Sequence, residues 1–265
     1  MLTFLKLGGS LITDKDTPHT ARPEIIRRLG EEILTARQLD PDMQLVIGHG
    51  SGSFGHFPAK QYATRDGVHT PEEWRGFLKV WQEARALNQI TLEILSQAGL
   101  PIISFPPSAC IFTDNKQAQQ RDISPLRAAL AAQLAPLIYG DVIFDSAIGG
   151  TILSTEEIFF HLTPMLSPQR ILIAGIEEGV WQDYPARTKL VKHITPATFD
   201  DISRSLGGSQ SVDVTGGMLA KVKSMVDLVS DNHALEVLVF SGSQPGLLTQ
   251  ALNGGNPGTC IFYST

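Results

Sequence analysis

Short runs of apolar, largely branched residues recur along the chain, each ended by Gly, Pro, Ser or Asp: residues 2–7, 44–47, 101–105, 142–144, 151–153, 170–174, 236–240 and 259–263. Their brevity and branched character predict buried strands rather than helices. Segments with helical patterning lie between several of them, over 23–37, 71–97, 125–135 and 216–230. The first of these opens on a proline, as helices often do. Strands alternating with helices predict an α/β fold: a three-layer αβα sandwich on a central, mainly parallel open sheet. In such sheets ligands collect at the carboxyl ends of strands, where loops meet helix N-termini. Residues 56–70 and 188–210 read as irregular excursions, the second with a flexible tip at Gly207-Gly208-Ser209. No internal repeat or long linker divides the chain. The expectation is one domain over 1–265, with two lobes of about 1–165 and 166–265 on a continuous sheet.

Composition narrows the function. With 42% hydrophobic residues the 265-residue chain can bury a sizeable core. A net charge of −6 argues against polyanion or anionic-membrane binding, which needs concentrated Lys and Arg. It leaves room for a phosphate pocket, which needs only a few placed cations. Two cysteines, Cys110 and Cys260, make no disulfide framework and no zinc-type pair. The start, MLTFLKLGGS, reaches a lysine and two glycines too early for a signal peptide, and no apolar run approaches membrane-spanning length. These features predict a soluble protein of a reducing compartment, such as the cytoplasm.

Four segments carry candidate chemistry. The first strand runs into Lys6-Leu7-Gly8-Gly9-Ser10, followed by Lys15. Adjacent glycines bring backbone N–H groups close to anionic oxygens. Lys6 stands in an apolar strand, where an ammonium is costly unless an anion or carboxylate faces it. It could equally snorkel to solvent beside an ordinary turn. The second strand opens into Gly48-His49-Gly50-Ser51-Gly52-Ser53-Phe54-Gly55-His56. Gly50, Gly52 and Gly55 formally fit the dinucleotide pattern G-x-G-x-x-G, but that reading requires a second strand ending in an acid about 20 residues on. Glu72 and Glu73 instead open a helix, so NAD binding is rejected. A glycine-rich anion cradle remains, with His56 able either to donate to a phosphate or to cap backbone. Thr215-Gly216-Gly217 precedes a helix bearing Lys221, a small-residue N-terminus suited to phosphate, although Lys221 alone reads as an ordinary solvated helix lysine. Last, Asp145 ends a strand before Gly149 and Gly150, where it could orient lysines or cap a turn.

Absent signals discriminate further. There is no P-loop, no protein-kinase catalytic set, no H-E-x-x-H and no G-x-S-x-G elbow. The order of the motifs that are present (Lys6 to Ser10, the second glycine loop, Asp145, and Thr215 to Lys221) resembles the amino acid kinase family over essentially the whole chain. The Gly52-Ser53-Phe54-Gly55-His56 ending resembles most closely the branch that phosphorylates isopentenyl phosphate. Relatives that phosphorylate carboxylates lack that histidine.

The resemblance implies ATP-dependent phosphorylation of isopentenyl phosphate to isopentenyl diphosphate, with Mg²⁺ accompanying ATP and a homodimer as the assembly. It implies an N-terminal lobe for the acceptor and a C-terminal lobe for the nucleotide. Lys6 and Lys221 would neutralise the transferring phosphoryl group, Lys15 would hold nucleotide phosphate, and Asp145 would organise the lysines. His56 and Ser51, with Gly55, Gly149 and Gly150 nearby, would hold the acceptor. Gly8, Gly9, Ser10, Gly52, Gly179, Gly216 and Gly217 would line the nucleotide. Ile176 stands where the family often has Asp, and Ser51 where it usually has Gly. Such a reaction needs alignment and charge neutralisation rather than a general base, because a phosphate oxygen is already a nucleophile. Trp74, Phe77, Leu78 and Trp81 share helical spacing and could cover a prenyl tail or simply form core. A fosfomycin-type phosphonate kinase and a non-catalytic nucleotide-binding module are the alternatives.

Overall fold

The computed structural model describes residues 1–206 and 217–264, without the side chains of His56, Phe57, Gln120, Arg121, Ser205 and Leu206. The N-terminal part runs β1 (Leu2–Leu7), α1 (Gly9–Ile12), α2 (Pro23–Leu39), β2 (Gln44–His49), α3 (Gly52–Gln61), a 3-10 turn (Thr64–Asp66) and α4 (Pro71–Gln97). The middle comprises β3 (Ile102–Ser104), α5 (Pro107–Cys110), β4 (Ile111–Asp114), β5 (Gln117–Arg121), α6 (Ser124–Ala131), β6 (Ala135–Tyr139), β7 (Asp141–Asp145), β8 (Gly149–Leu153) and α7 (Thr155–Leu166). The remainder is β9 (Arg170–Gly175), β10 (Val180–Trp181), β11 (Leu190–Val191), β12 (His193–Ile194), α8 (Pro196–Leu206), α9 (Gly217–Asp231), β13 (Glu236–Ser241), α10 (Leu247–Leu252) and β14 (Thr259–Phe262).

Eight strands form the main sheet in the order β12-β14-β13-β9-β1-β2-β6-β3, parallel throughout except where β13 meets β14. β1 lies inside it, in parallel register with β2 on one side and β9 on the other. All six of its residues are buried. Because side chains alternate along a strand, Leu2 and Phe4 enter one core with Phe159, Ile171 and Val226, while Leu5 and Leu7 enter another with Ile26, Leu29 and Leu95. Helices α7 and α9 cover the first face, and α2, α4 and α10 cover the second. A smaller sheet, β5-β4-β7-β8, meets α4 through a third cluster of Val68, Phe77, Val80 and Val142. Among the described residues no helix is long and apolar enough to cross a membrane.

Several expectations change. The segment from residue 56, read as irregular, begins within α3, which extends to Gln61 with Pro58 inside it. The segment from 188 contains β11, β12 and α8; its expected tip at Gly207-Gly208-Ser209 lies outside the described residues, as does Gly216. The helix expected to reach residue 135 stops at Ala131, with Gln133 left-handed at φ 60°, and Ala135 opens β6. Strand β6 tolerates Pro136 because β2 pairs with it only from Leu137 onward, so no bond to β2 requires the missing N–H. Helix α7 was missed altogether. Its start is written in Ser154 and Glu157, which form a reciprocal capping box.

Candidate active site

Strand alternation places Lys6 on the same face as Leu2 and Phe4, with Gly48 of β2 as its register partner. That glycine matters because a Cβ there would stand 2.5 Å from Thr155 Cγ2 and 2.9 Å from the Phe159 ring. Its absence lets the N-terminus of α7 descend onto the strand ends. Glu156 then meets Lys6, with Nζ to Oε1 at 2.6 Å and both side chains largely buried (11% and 12% exposed). Burial alone would raise the Glu156 pKa. The ammonium charges of Lys6 and Lys221 outweigh it and hold the carboxyl below its ordinary value. One buried carboxylate therefore answers two lysines from distant segments, β1 and α9.

Asp145 does not take that role. Its carboxylate accepts the Thr113 hydroxyl at 2.7 Å and the backbone N–H groups of Asn115, Lys116, Ala147 and Ile148 at 2.8–3.0 Å. Burial pushes its pKa up, but these donors prevail and hold it at about 2. Asp145 thus clasps the β4–β5 turn to the turn before Gly149. The acid that meets Lys6 and feels the charge of Lys221 is Glu156, which the family resemblance did not single out; its sequence signal was the helix start at Ser154 and Glu157.

The glycine loops are packed back to back. Gly8 N–H donates to Ala174 O at 2.8 Å, tying the first loop to the end of β9, and Gly50 N–H donates to Leu7 O at 3.1 Å. A Cβ on Gly9 would lie 2.5 Å from Gly52 N, and Gly52 has φ +49°, a conformation that favours glycine. Ser51 precedes α3, and a Cβ on Gly55 would meet its Oγ at 2.5 Å, so the serine side chain fills the turn below. Ser10 lies in α1, directly after Gly8 and Gly9. Lys15 is exposed on the segment from Asp14 to Thr20, whose ends join through Asp14 N–H to Thr20 O at 2.9 Å. Gly149 and Gly150 open β8 beside Val68 and Phe77. Gly179 sits between β9 and β10 against Thr259, and Gly217 opens α9. The His56 side chain lies outside the described ones, although its backbone belongs to α3.

A second histidine proves integral to the loop. His49 is fully buried, its Nδ1 3.1 Å from Gly50 O and its Nε2 3.2 Å from Asn88 Nδ2. A carbonyl on one side and an amide donor on the other require the neutral tautomer with its proton on Nδ1. Burial drives the pKa down to about 4; the Gly50 carbonyl works against this and the Lys6 charge adds to it. Asn88 Oδ1 in turn accepts from Ser104 Oγ at 2.7 Å, so α4 and β3 buttress the loop.

The aromatic stripe on α4 divides. Trp74, Phe77 and Trp81 pack with Val80 against Val142 and Ile152, and Phe144 lies 6.0 Å from Trp74 and 5.2 Å from Phe77, centroid to centroid. Leu78 is 51% exposed and faces the other way, into a cavity of about 350 Å³ shared with His19, Arg75 and Glu83. The 100° step between neighbouring helical residues carries it off the stripe.

Residues 1–241 match the profile of the amino acid kinase family. Isopentenyl phosphate kinase from Methanocaldococcus jannaschii is 32% identical, with all of both chains covered. The enzyme of the same name from Methanothermobacter thermautotrophicus is 31% identical over 96% of each chain. An X-ray structure of isopentenyl phosphate kinase superimposes with a TM-score of 0.82 at 28% identity, covering 98% of this chain and all of the other. A substrate complex of isopentenyl phosphate kinase gives 0.75 at 25% identity, covering 98% and 99%. The chain belongs to the amino acid kinase family.

Proposed function

We propose that this protein transfers the γ-phosphoryl group of ATP to isopentenyl phosphate, giving isopentenyl diphosphate and ADP. The observation that carries this reading is the buried Lys6–Glu156 pair, under the charge of Lys221, at the strand end where two glycine loops touch. Two anions must be brought together for such a transfer. Lys6 and Lys221 offset their repulsion and the charge that develops in flight, while the Glu156 carboxylate holds Lys6 in place and attracts Lys221. The N–H groups of Gly9 and Ser10, and not that of Gly8, which is engaged by Ala174 O, receive nucleotide phosphate, helped by Lys15. Those of Ser51 and Gly52, with Gly55 and His56, receive the acceptor phosphate, whose oxygen attacks in line without a base.

The C-terminal lobe, with Gly179, Gly216 and Gly217, takes the nucleotide, and the N-terminal lobe takes the acceptor. The aromatic side chains of Trp74, Phe77 and exposed Phe144, near Gly149 and Gly150, support a prenyl tail better than a polar phosphonate. Mg²⁺ would enter with ATP on its phosphates, where it would neutralise charge and keep much of its own water. The chain acts in the cytoplasm as a homodimer, readings that rest on the family and are tested by fractionation and by solution mass.

The deciding experiment is ADP release with Mg-ATP across isopentenyl phosphate, fosfomycin and amino acids. Acceptor-dependent release with isopentenyl phosphate, and formation of its diphosphate, is the expected result. Turnover of fosfomycin alone would move the acceptor assignment to phosphonates. Nucleotide binding without turnover of any acceptor would make the chain a binding module.

A further inference from the structure

Thr13 has no part in the chemistry described above, yet it is fully buried where the two glycine loops meet. Its hydroxyl makes two hydrogen bonds in opposite directions. Oγ1 donates to Gly9 O at 2.7 Å, in the first loop, and accepts from Ser53 N–H at 3.0 Å, in the second. Around it the two backbones touch without intervening side chains. A Cβ on Gly9 would meet Gly52 N at 2.5 Å, and one on Gly50 would meet Gly9 N at 3.0 Å. A Cβ on Gly52 would fall 2.1 Å from the Thr13 hydroxyl oxygen itself. Thr13 also roots the segment that carries Lys15. It bridges to Ala21 at the segment's far end, while Thr20 N–H reaches Ser53 Oγ at 3.4 Å.

We infer that Thr13 is a positioning residue that fixes the distance and orientation between the two phosphate cradles. This rests on reading the loops as cradles for nucleotide and acceptor phosphate. Each loop has its own anchors: Gly8 on β9, and the second loop on β1 and, through His49, on α4. Either cradle can thus keep its shape when Thr13 changes. What the Thr13 hydroxyl adds is the link between them, and in-line transfer depends steeply on that relative placement. Valine has nearly the same shape but cannot accept the Ser53 N–H or donate to Gly9 O. Serine keeps both bonds and loses only a methyl group.

The test compares wild type with Thr13→Val and Thr13→Ser. Binding of a non-hydrolysable ATP analogue and of isopentenyl phosphate is measured separately by calorimetry, alongside kcat at saturation and thermal melting. Thr13→Val should bind each ligand within about threefold of wild type while kcat falls by about thirtyfold or more, as expected for misaligned reactants. Thr13→Ser should keep kcat within about threefold. A Thr13→Val enzyme with wild-type kcat would overturn the inference. So would a loss confined to KM, or a serine variant as slow as the valine one. If Thr13→Val does not fold, Thr13→Ala applies the same test with less steric demand. If wild type prefers another acceptor, the proposed substrate fails but the same comparison with that acceptor still judges Thr13.

Discussion

Two buried carboxylates stand near the ends of neighbouring elements, and they are stabilised in opposite ways. Asp145 is surrounded by hydrogen-bond donors, four backbone N–H groups from the two turns it holds together and the Thr113 hydroxyl of β4. Glu156 is balanced by side-chain cations, Lys6 in contact and Lys221 within reach of its charge. Both acids are ionised below their ordinary pKa. Only the second arrangement leaves cations aimed at a place where an anion can arrive. A carboxylate saturated by backbone dipoles is an architectural part; one balanced by side-chain cations can share them with a substrate.

The sharpest way to break that contrast is to remove a cation. Lys221→Ala should lower kcat by about a hundredfold or more if the lysine acts on transition-state charge. A change confined to KM, in steady-state assays of ADP release, would reduce it to a binding group. A smaller effect, on stability, is expected from Asp145→Asn. The amide turns one of its acceptor atoms into a donor facing donors, which should cost about 3 kcal/mol and lower the melting temperature by roughly 5–10 °C. The kcat per folded molecule should stay within a few-fold of wild type.

The smallest effect concerns His49. Its folded pKa of about 4 lies below the ordinary imidazole value of about 6.5, so the unfolded chain binds a proton that the folded one does not across that window. Stability is therefore full above about pH 6.5 and declines as pH falls toward 4. Replacing His49 by Gln should flatten the slope of melting temperature against pH in that window, read by calorimetry at several pH values. An unchanged slope would assign the titration elsewhere.

How far these features could be read from the sequence differs by kind. The buried strands around Lys6 were legible because parallel strands enclosed on both faces are continuous apolar runs. Helix α4 was legible to its ends, with Thr70, Pro71 and Glu73 marking the start. The strand at Ala135 was obscured by Pro136, and α3 by its glycines and Pro58. That Lys6 either faces an anion or carboxylate or snorkels to solvent was legible, and the structure shows the first. The identity of that anion was not legible. Asp145 ends a strand in an attractive position, whereas Glu156 follows Thr155 and Ser154 in what reads as an ordinary helix cap. Only the missing side chain at Gly48, which admits α7 to the strand ends, tells the two acids apart. That close approach is a tertiary fact, and no local pattern encodes it.

The most direct measurement is the turnover of Glu156→Gln beside that of Asp145→Asn, each at full occupancy of both substrates and corrected for folded fraction. Glu156→Gln should lose about tenfold or more in kcat per folded molecule, through misaimed lysines, along with some stability because Lys6 loses its buried partner, whereas Asp145→Asn should lose stability and keep kcat per folded molecule within a few-fold of wild type. Wild-type turnover by Glu156→Gln, or a selective loss of turnover in Asp145→Asn, would contradict this division of roles.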